Sequence, residues 1–161
     1  MLVLSILLAV ALPAAAIWKD REIPVSISSL VYLFEGNRKW LWTVWLWLVT
    51  FLLAPSLIES MPEDFKFIGF FMLAGLVATG AMPIIDKEKK DIHDTFGFAA
   101  CVLSQACVAA VSPWWLFAWL LLPLVFWLYY RKGRSASFMQ RMMFFAECIC
   151  ALALYGALFT A

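Results

Sequence analysis

Residues 40–58 read WLWTVWLWLVTFLLAPSLI, nineteen consecutive positions without one charged side chain. A helix needs about 20 apolar residues, each advancing it about 1.5 Å, to cross the hydrocarbon core of a bilayer. This stretch therefore predicts a transmembrane helix. Reading outward from it, five further apolar runs follow the same rule: residues 2–17, 67–85, 92–111, 114–130 and 138–161. Six spans use most of a 161-residue chain that is 65% hydrophobic, with a mean hydropathy of +0.90. That apolar share is far above the soluble range, and the gaps are too short to hold a soluble domain. The expected fold class is all-α, a polytopic integral membrane protein whose residues 1–161 form a single bundle domain.

The gaps between the runs carry the orientation. Eleven of the twelve Lys and Arg residues occupy alternate gaps or their edges. Lys19, Arg21, Arg38 and Lys39 follow the first run, and Lys87, Lys89 and Lys90 the third. Arg131, Lys132 and Arg134 follow the fifth, with Arg141 just inside the sixth. The other gaps hold only Lys66. Cytoplasmic loops retain positive charge, so the alternation predicts N- and C-termini outside, in a bacterial inner (cytoplasmic) membrane. No basic face exists beyond these loops, and a nucleic-acid partner is not expected.

The first run ends in Ala14-Ala15-Ala16, which imitates a signal-peptide cleavage site. No positive charge precedes it, however, and it reads as a retained span. In the gap that follows, residues 19–39, the apolar residues Ile23, Ile27, Leu30, Val31 and Phe34 recur at helical spacing. Pro24 suits a first turn and Gly36-Asn37 a stop. The pattern predicts an amphipathic helix over 24–34, lying in the interface or packing under the bundle as a lid.

Within the spans, small residues mark close approach. Gly69, Ala74, Gly75, Ala78, Thr79, Gly80 and Ala81 make the third span central, with Gly97, Ala99, Ala100, Ser104 and Ala106 of the fourth packed against it. Trp40 and Trp42 suit the membrane interface, while Trp45 and Trp47 lie deeper. The fifth span carries aromatic residues at both ends, and Pro123 is placed to kink it. Asp91 with Asp94, and Ser137 with Gln140, have capping-box spacing. The four cysteines, Cys101, Cys107, Cys148 and Cys150, all fall inside spans and read as small buried hydrophobes.

Glu147 is the one ionisable residue deep in a span. Ten residues into the sixth run, it lies about 14 Å along the helix, near the midplane. A charge there costs a few kcal/mol, so Glu147 must be neutral, paired or facing water. Thr50, Thr79, Ser104 and Gln105 lie at comparable depth. Glu147 with Gln105, Ser104 and Thr50 is the candidate binding or proton site. The alternative is a carboxyl that only fixes packing through hydrogen bonds.

His93, the sole histidine, sits between Asp91 and Asp94 at the start of the fourth span. The three form a second candidate, a polar cytoplasmic cluster. One His without a second His or a loop Cys falls short of the three ligands of a hydrolytic zinc site, so no metal is expected. Asp94, Phe98, Cys101 and Gln105 share one face of that helix, and His93, Gly97, Ala100 and Ser104 an adjacent one. Ser26, Ser28 and Ser29 lack a nucleophile elbow. Phosphate loops, dinucleotide fingerprints and bis-His haem pairs are also missing. No catalytic residue, cofactor or enzyme activity is expected.

The Pro24-Val25-Ser26-Ile27-Ser28 element after the first span, His93 opening the fourth, and the Gly97, Ala99, Ala100 run behind it recur in a known layout. In this the whole chain resembles the DRAM-like group of six-helix membrane proteins and bacterial relatives of similar size. The resemblance implies no established catalytic activity. The expected function is binding of a lipid, a small amphiphile or a partner membrane protein, with membrane lipids and a homo-oligomer among the partners. The alternative is a small oligomeric transporter or channel built on the intramembrane carboxylate.

Overall fold

A computed structural model describes residues 1–34, 36–85 and 90–161, the side chains of Leu33, Asn37, Lys90 and Asp91 excepted. The chain is all-α, with no strand among the described residues and six helical segments long and apolar enough to cross a membrane. They are α1 (Leu2–Asp20), α2 (Trp40–Ser60), α3 (Lys66–Ile85), α4 (Lys90–Val111), a fifth span over Pro113–Arg131 whose second half is α5 (Leu121–Arg131), and α6 (Ser135–Thr160). Each lies within three residues of the limits that its apolar run sets.

Packing follows the small residues. α3 lies most extensively against α4, then against α2, while α1 lies against α2 and α6 against α4 and the fifth span. A Cβ placed on Gly75 would stand 3.2 Å from the Ala100 Cβ, and one on Gly80 2.9 Å from the Trp47 ring. Hydrogen at these positions lets α3 come this close to the α4 backbone and to the Trp47 ring. Between hydrocarbon chains, such contact replaces the hydrophobic drive that water supplies elsewhere. The main core joins Leu53, Leu57, Met72, Cys107, Val108, Ala153 and Ala157 from α2, α3, α4 and α6. α1 is pinned through buried Ser5, whose hydroxyl donates to the Val49 carbonyl at 2.9 Å and lies 2.7 Å from the Tyr155 hydroxyl.

The fifth span changes helix type part-way. Pro113–Leu120 is a 3-10 helix and Leu121–Arg131 an α-helix. Pro123 thereby falls in the first turn of α5, the part of a helix that tolerates proline. The kink expected at Pro123 is resolved as this switch. With about 2.0 Å per residue in the first part and about 1.5 Å in the second, the span reaches about 32 Å. It is peripheral, with none of its residues buried.

The linker after α1 departs from its sequence pattern. Of the amphipathic helix expected over 24–34, only a six-residue 3-10 helix forms, Ser28–Leu33. The apolar stripe is nevertheless satisfied. Leu30 and Val31 are buried with Ala16, Trp42 and Leu46, and Ile27 and Phe34 pack against them. Trp42, expected at the interface, is 1% exposed in this cluster, because α2 turns that face toward the linker. The Ser137–Gln140 capping box does not form either. α6 starts at Ser135 without a side-chain cap, and the Ser137 hydroxyl accepts from the Arg141 guanidinium. Asp91 lies inside α4, which starts at Lys90, and its side chain is outside the described residues.

The linker also gathers one end of the bundle. Arg141 reaches Glu22 at 3.7 Å, and Lys39 lies 5.9 Å from the centre of the Tyr32 ring. Burial, and then the Asp94 charge, hold the half-exposed Tyr32 phenol above its usual pKa. The ends of α1, α2, α4 and α6 that border the basic gaps therefore share one end of the molecule.

Candidate functional site

Chain reversal after α1 builds the site. Arg21 caps the helix in the left-handed conformation (φ 56°), its N–H donating to the Ile17 carbonyl at 2.9 Å. The non-helical residues that follow then climb α6 in step. The Arg141 Nε donates to the Ile23 carbonyl at 2.8 Å, the Phe144 N–H to the Val25 carbonyl at 3.1 Å, and the Ile27 N–H to the Glu147 carboxylate. From Arg141 to Glu147 is about 9 Å of helix. Glu147 itself is residue thirteen of the twenty-six in α6. A backbone segment is thus carried to mid-span, where an unpaired N–H would cost several kcal/mol in lipid. The carboxylate is what satisfies it.

The turn at the tip is closed by the serines. The Ser29 N–H donates to the Ser26 hydroxyl at 2.9 Å and the Ser26 N–H to the Ser29 hydroxyl at 3.2 Å, a reciprocal pair that works as a capping box does. The Ser29 hydroxyl also donates to the Ser26 carbonyl at 2.7 Å, and the Ser26 and Ser28 hydroxyls are 3.0 Å apart. Ser28 presents its hydroxyl and backbone to Glu147. Ile27 and Ser28 are the partners that sequence reasoning missed. The Ser-x-x-Ser spacing ahead of Leu30 was the available signal for the turn.

Two cavities meet at this carboxylate. An inner one of about 170 Å³ lies among α1, α2, α3, α4 and α6, lined mainly by apolar groups such as Leu46, Leu53, Met72 and Leu154. An outer one of about 450 Å³ lies between α4, α6, the fifth span and residues 25–29. Glu147, Ser28, Gly97, Cys101 and Cys150 line both. The Asp94, Phe98, Cys101, Gln105 face of α4 lines the outer cavity, with Trp119 and Met143 opposite. Cys101 and Cys150, free thiols on α4 and α6, interact across the seam.

The other candidates fall around this centre. Gln105 lines the outer cavity, but both ends of its amide are engaged. Its Nε2 donates to the Ser104 hydroxyl at 2.9 Å and to the Cys150 carbonyl at 3.4 Å, and its Oε1 accepts from the Trp119 Nε1 at 2.9 Å. Ser104 lines the inner cavity and donates to the Cys101 carbonyl at 2.7 Å. Thr50 is buried apart from the site, its hydroxyl donating to the Leu46 carbonyl of its own helix at 2.7 Å. The polar cluster splits. His93 is buried toward α3, with Nδ1 3.0 Å from the Thr79 carbonyl, whereas Asp94 points into the outer cavity. The His93 Nε2 and the nearby Trp42 Nε1 have no hydrogen-bond partner among the described residues.

No family model matches the chain, and no curated protein or solved structure matches it either.

Proposed function

We propose that the protein is a non-enzymatic membrane protein that takes a lipid or small amphiphile from the bilayer into the outer cavity, with Glu147 as the polar anchor. One observation carries the reading. The cavity beside this mid-span carboxylate is rimmed by Phe98, Val102 and Met143, three exposed apolar side chains inside spans. Exposed apolar side chains at that depth face hydrocarbon, so an occupant enters from the lipid and meets a polar group at the base. A volume of about 450 Å³ falls within the range of small-molecule pockets. The wholly unburied fifth span leaves a further surface for lipid, a second copy or another membrane protein.

Native mass spectrometry of the protein released from lipid nanodiscs tests this. One retained amphiphile per chain is expected, lost in Val102→Trp, which fills the mouth, while the melting temperature is kept. No retained amphiphile, or retention indifferent to Val102→Trp, would refute it.

A second reading, a small transporter or channel, draws on the same residue, because Glu147 lines both cavities and an intramembrane acid suits a proton or cation path. The chain shows no inverted repeat, so such a transporter would be oligomeric. Its test is pH- or voltage-driven flux in reconstituted vesicles, present in the unmodified protein and lost in Glu147→Gln. Without that flux the reading falls.

A further inference from the structure

The hydrogen-bonding groups that line the outer cavity are not balanced between donors and acceptors. The Trp119 Nε1 is spent on Gln105, and the Gln105 amide on Ser104 and Cys150. The Ser29 hydroxyl is spent on the Ser26 carbonyl, and the Ser26 and Ser28 hydroxyls face each other. Among the described residues, what stays open is acceptor capacity. Glu147 and Asp94 both line the cavity, and the Asp94 charge acts on Glu147. An ionised carboxylate has about four lone-pair sites; Glu147 gives one to the Ile27 N–H and two to the backbone and hydroxyl of Ser28, which leaves about one for an occupant.

No Lys, Arg or His lines this cavity among the described residues. The cation nearest along α6, Arg141, is turned to Ile23, Ser137 and Glu22. An anionic or carbonyl-bearing head would find no free donor and would meet two acids. A head rich in N–H donors would find the acids and two aromatic side chains, Phe98 and Trp119, whose faces attract cations.

We infer that the occupant of the outer cavity is a lipophilic primary amine in its ammonium form, its N–H groups directed at Glu147 and Asp94 and its alkyl chain lying toward the Phe98, Val102 and Met143 rim. This rests on the amphiphile-binding reading above and adds the sign and donor character of the head. A primary ammonium, like that of lysine, carries three donors and no acceptor, which complements the two carboxylates of the cavity. A quaternary ammonium has charge without donors and is the weaker fit.

The test uses the full chain in neutral phosphatidylcholine nanodiscs and three probes of equal chain length: dodecylamine, dodecanol and dodecanoate. Native mass spectrometry and tryptophan fluorescence titration read binding. Dodecylamine is expected to bind at least about tenfold more tightly than dodecanol, about 1.4 kcal/mol, with dodecanoate weaker still. Glu147→Gln should remove that preference, bringing the amine to the level of the alcohol, and dodecyltrimethylammonium should fall between the two. Equal or tighter binding of the alcohol or the carboxylate would overturn the inference. So would a preference for the amine that survives in Glu147→Gln and in the Glu147→Gln, Asp94→Asn pair. Val102→Trp separates the two levels. If dodecanol binds, is expelled by Val102→Trp and is not outcompeted by the amine, the cavity reading stands and the cationic head is wrong. If no probe responds to Val102→Trp, both are wrong.

Discussion

α4 meets α3 along one seam and α6 along another, and the two are closed by different means. At the α3–α4 seam a Gly stands against an Ala, with 3.2 Å between the built Cβ of Gly75 and that of Ala100. There the α4 backbone lies in direct contact with α3. At the α4–α6 seam the facing residues are Cys101, Gln105, Glu147 and Cys150, and the space between is about 450 Å³. That seam is spanned by polar contacts: the Gln105 amide to the Cys150 carbonyl, and residues 23–27 laid along α6 as far as Glu147. In a bilayer nothing squeezes helices together from outside, so side-chain size at the contact decides the distance. Small residues seal a seam, and polar residues with an inserted backbone segment hold one open. The open seam is the one with room for the proposed ligand.

Inserting the same side chain into each seam should break or sharpen this contrast. Gly75→Leu drives four carbons into the Ala100 backbone and should cost about 3 kcal/mol or leave the protein unfolded. Ala146→Leu, which extends into the outer cavity, should change stability by less than about 0.5 kcal/mol. Thermal or denaturant unfolding in detergent micelles measures both. Equal costs at the two positions would mean that the α4–α6 seam is closed.

The next effect is at the carboxylate. Glu147→Leu strands the Ile27 N–H and should cost about 2 kcal/mol, whereas Glu147→Gln keeps an acceptor oxygen and should cost under about 1 kcal/mol. If Leu and Gln are equally harmless, the linker does not depend on Glu147. Smaller again is Ser26→Ala, which removes one arm of the reciprocal Ser26–Ser29 pair. A loss of about 1 kcal/mol is typical of a cap, and here it should show as faster hydrogen exchange confined to residues 26–30. Exchange that spreads through α6 would make the turn part of the helix core instead.

The spans were legible because about 20 apolar residues in a row admit one reading in a chain this hydrophobic. Glu147 was legible because a lone acid at mid-span stands out against its neighbours. Its partner was not, since a backbone N–H leaves no mark in the pattern of side chains. Ile27, Leu30, Val31 and Phe34 have helical spacing, and Leu30 and Val31 become buried with the other two packed against them, so the periodicity reports the inward face correctly while overstating the helix. Before Ser28, bonds to Arg141, Phe144 and Glu147 replace the local ones that a helix would make. Trp42 shows the same limit. An indole at the first turn of a span suits the interface, until the linker covers that face of α2. Which of Thr50, Ser104 and Gln105 would lie near Glu147 depended on helix rotation, and Thr50 turned inward onto the Leu46 carbonyl.

The central claim is that Glu147 is reached from the lipid through the α4–α6 seam. Chemical modification of the unmodified protein in membranes, at mildly acidic pH, tests it most directly. Dicyclohexylcarbodiimide, which partitions into hydrocarbon, and a water-soluble carbodiimide are applied in parallel, and the modified carboxyls are mapped by peptide mass spectrometry. The lipophilic reagent is expected to modify Glu147, the water-soluble one to leave it untouched, and Val102→Trp to protect it. Glu147 left unmodified by the lipophilic reagent, or modified by the water-soluble one alone, would contradict the account.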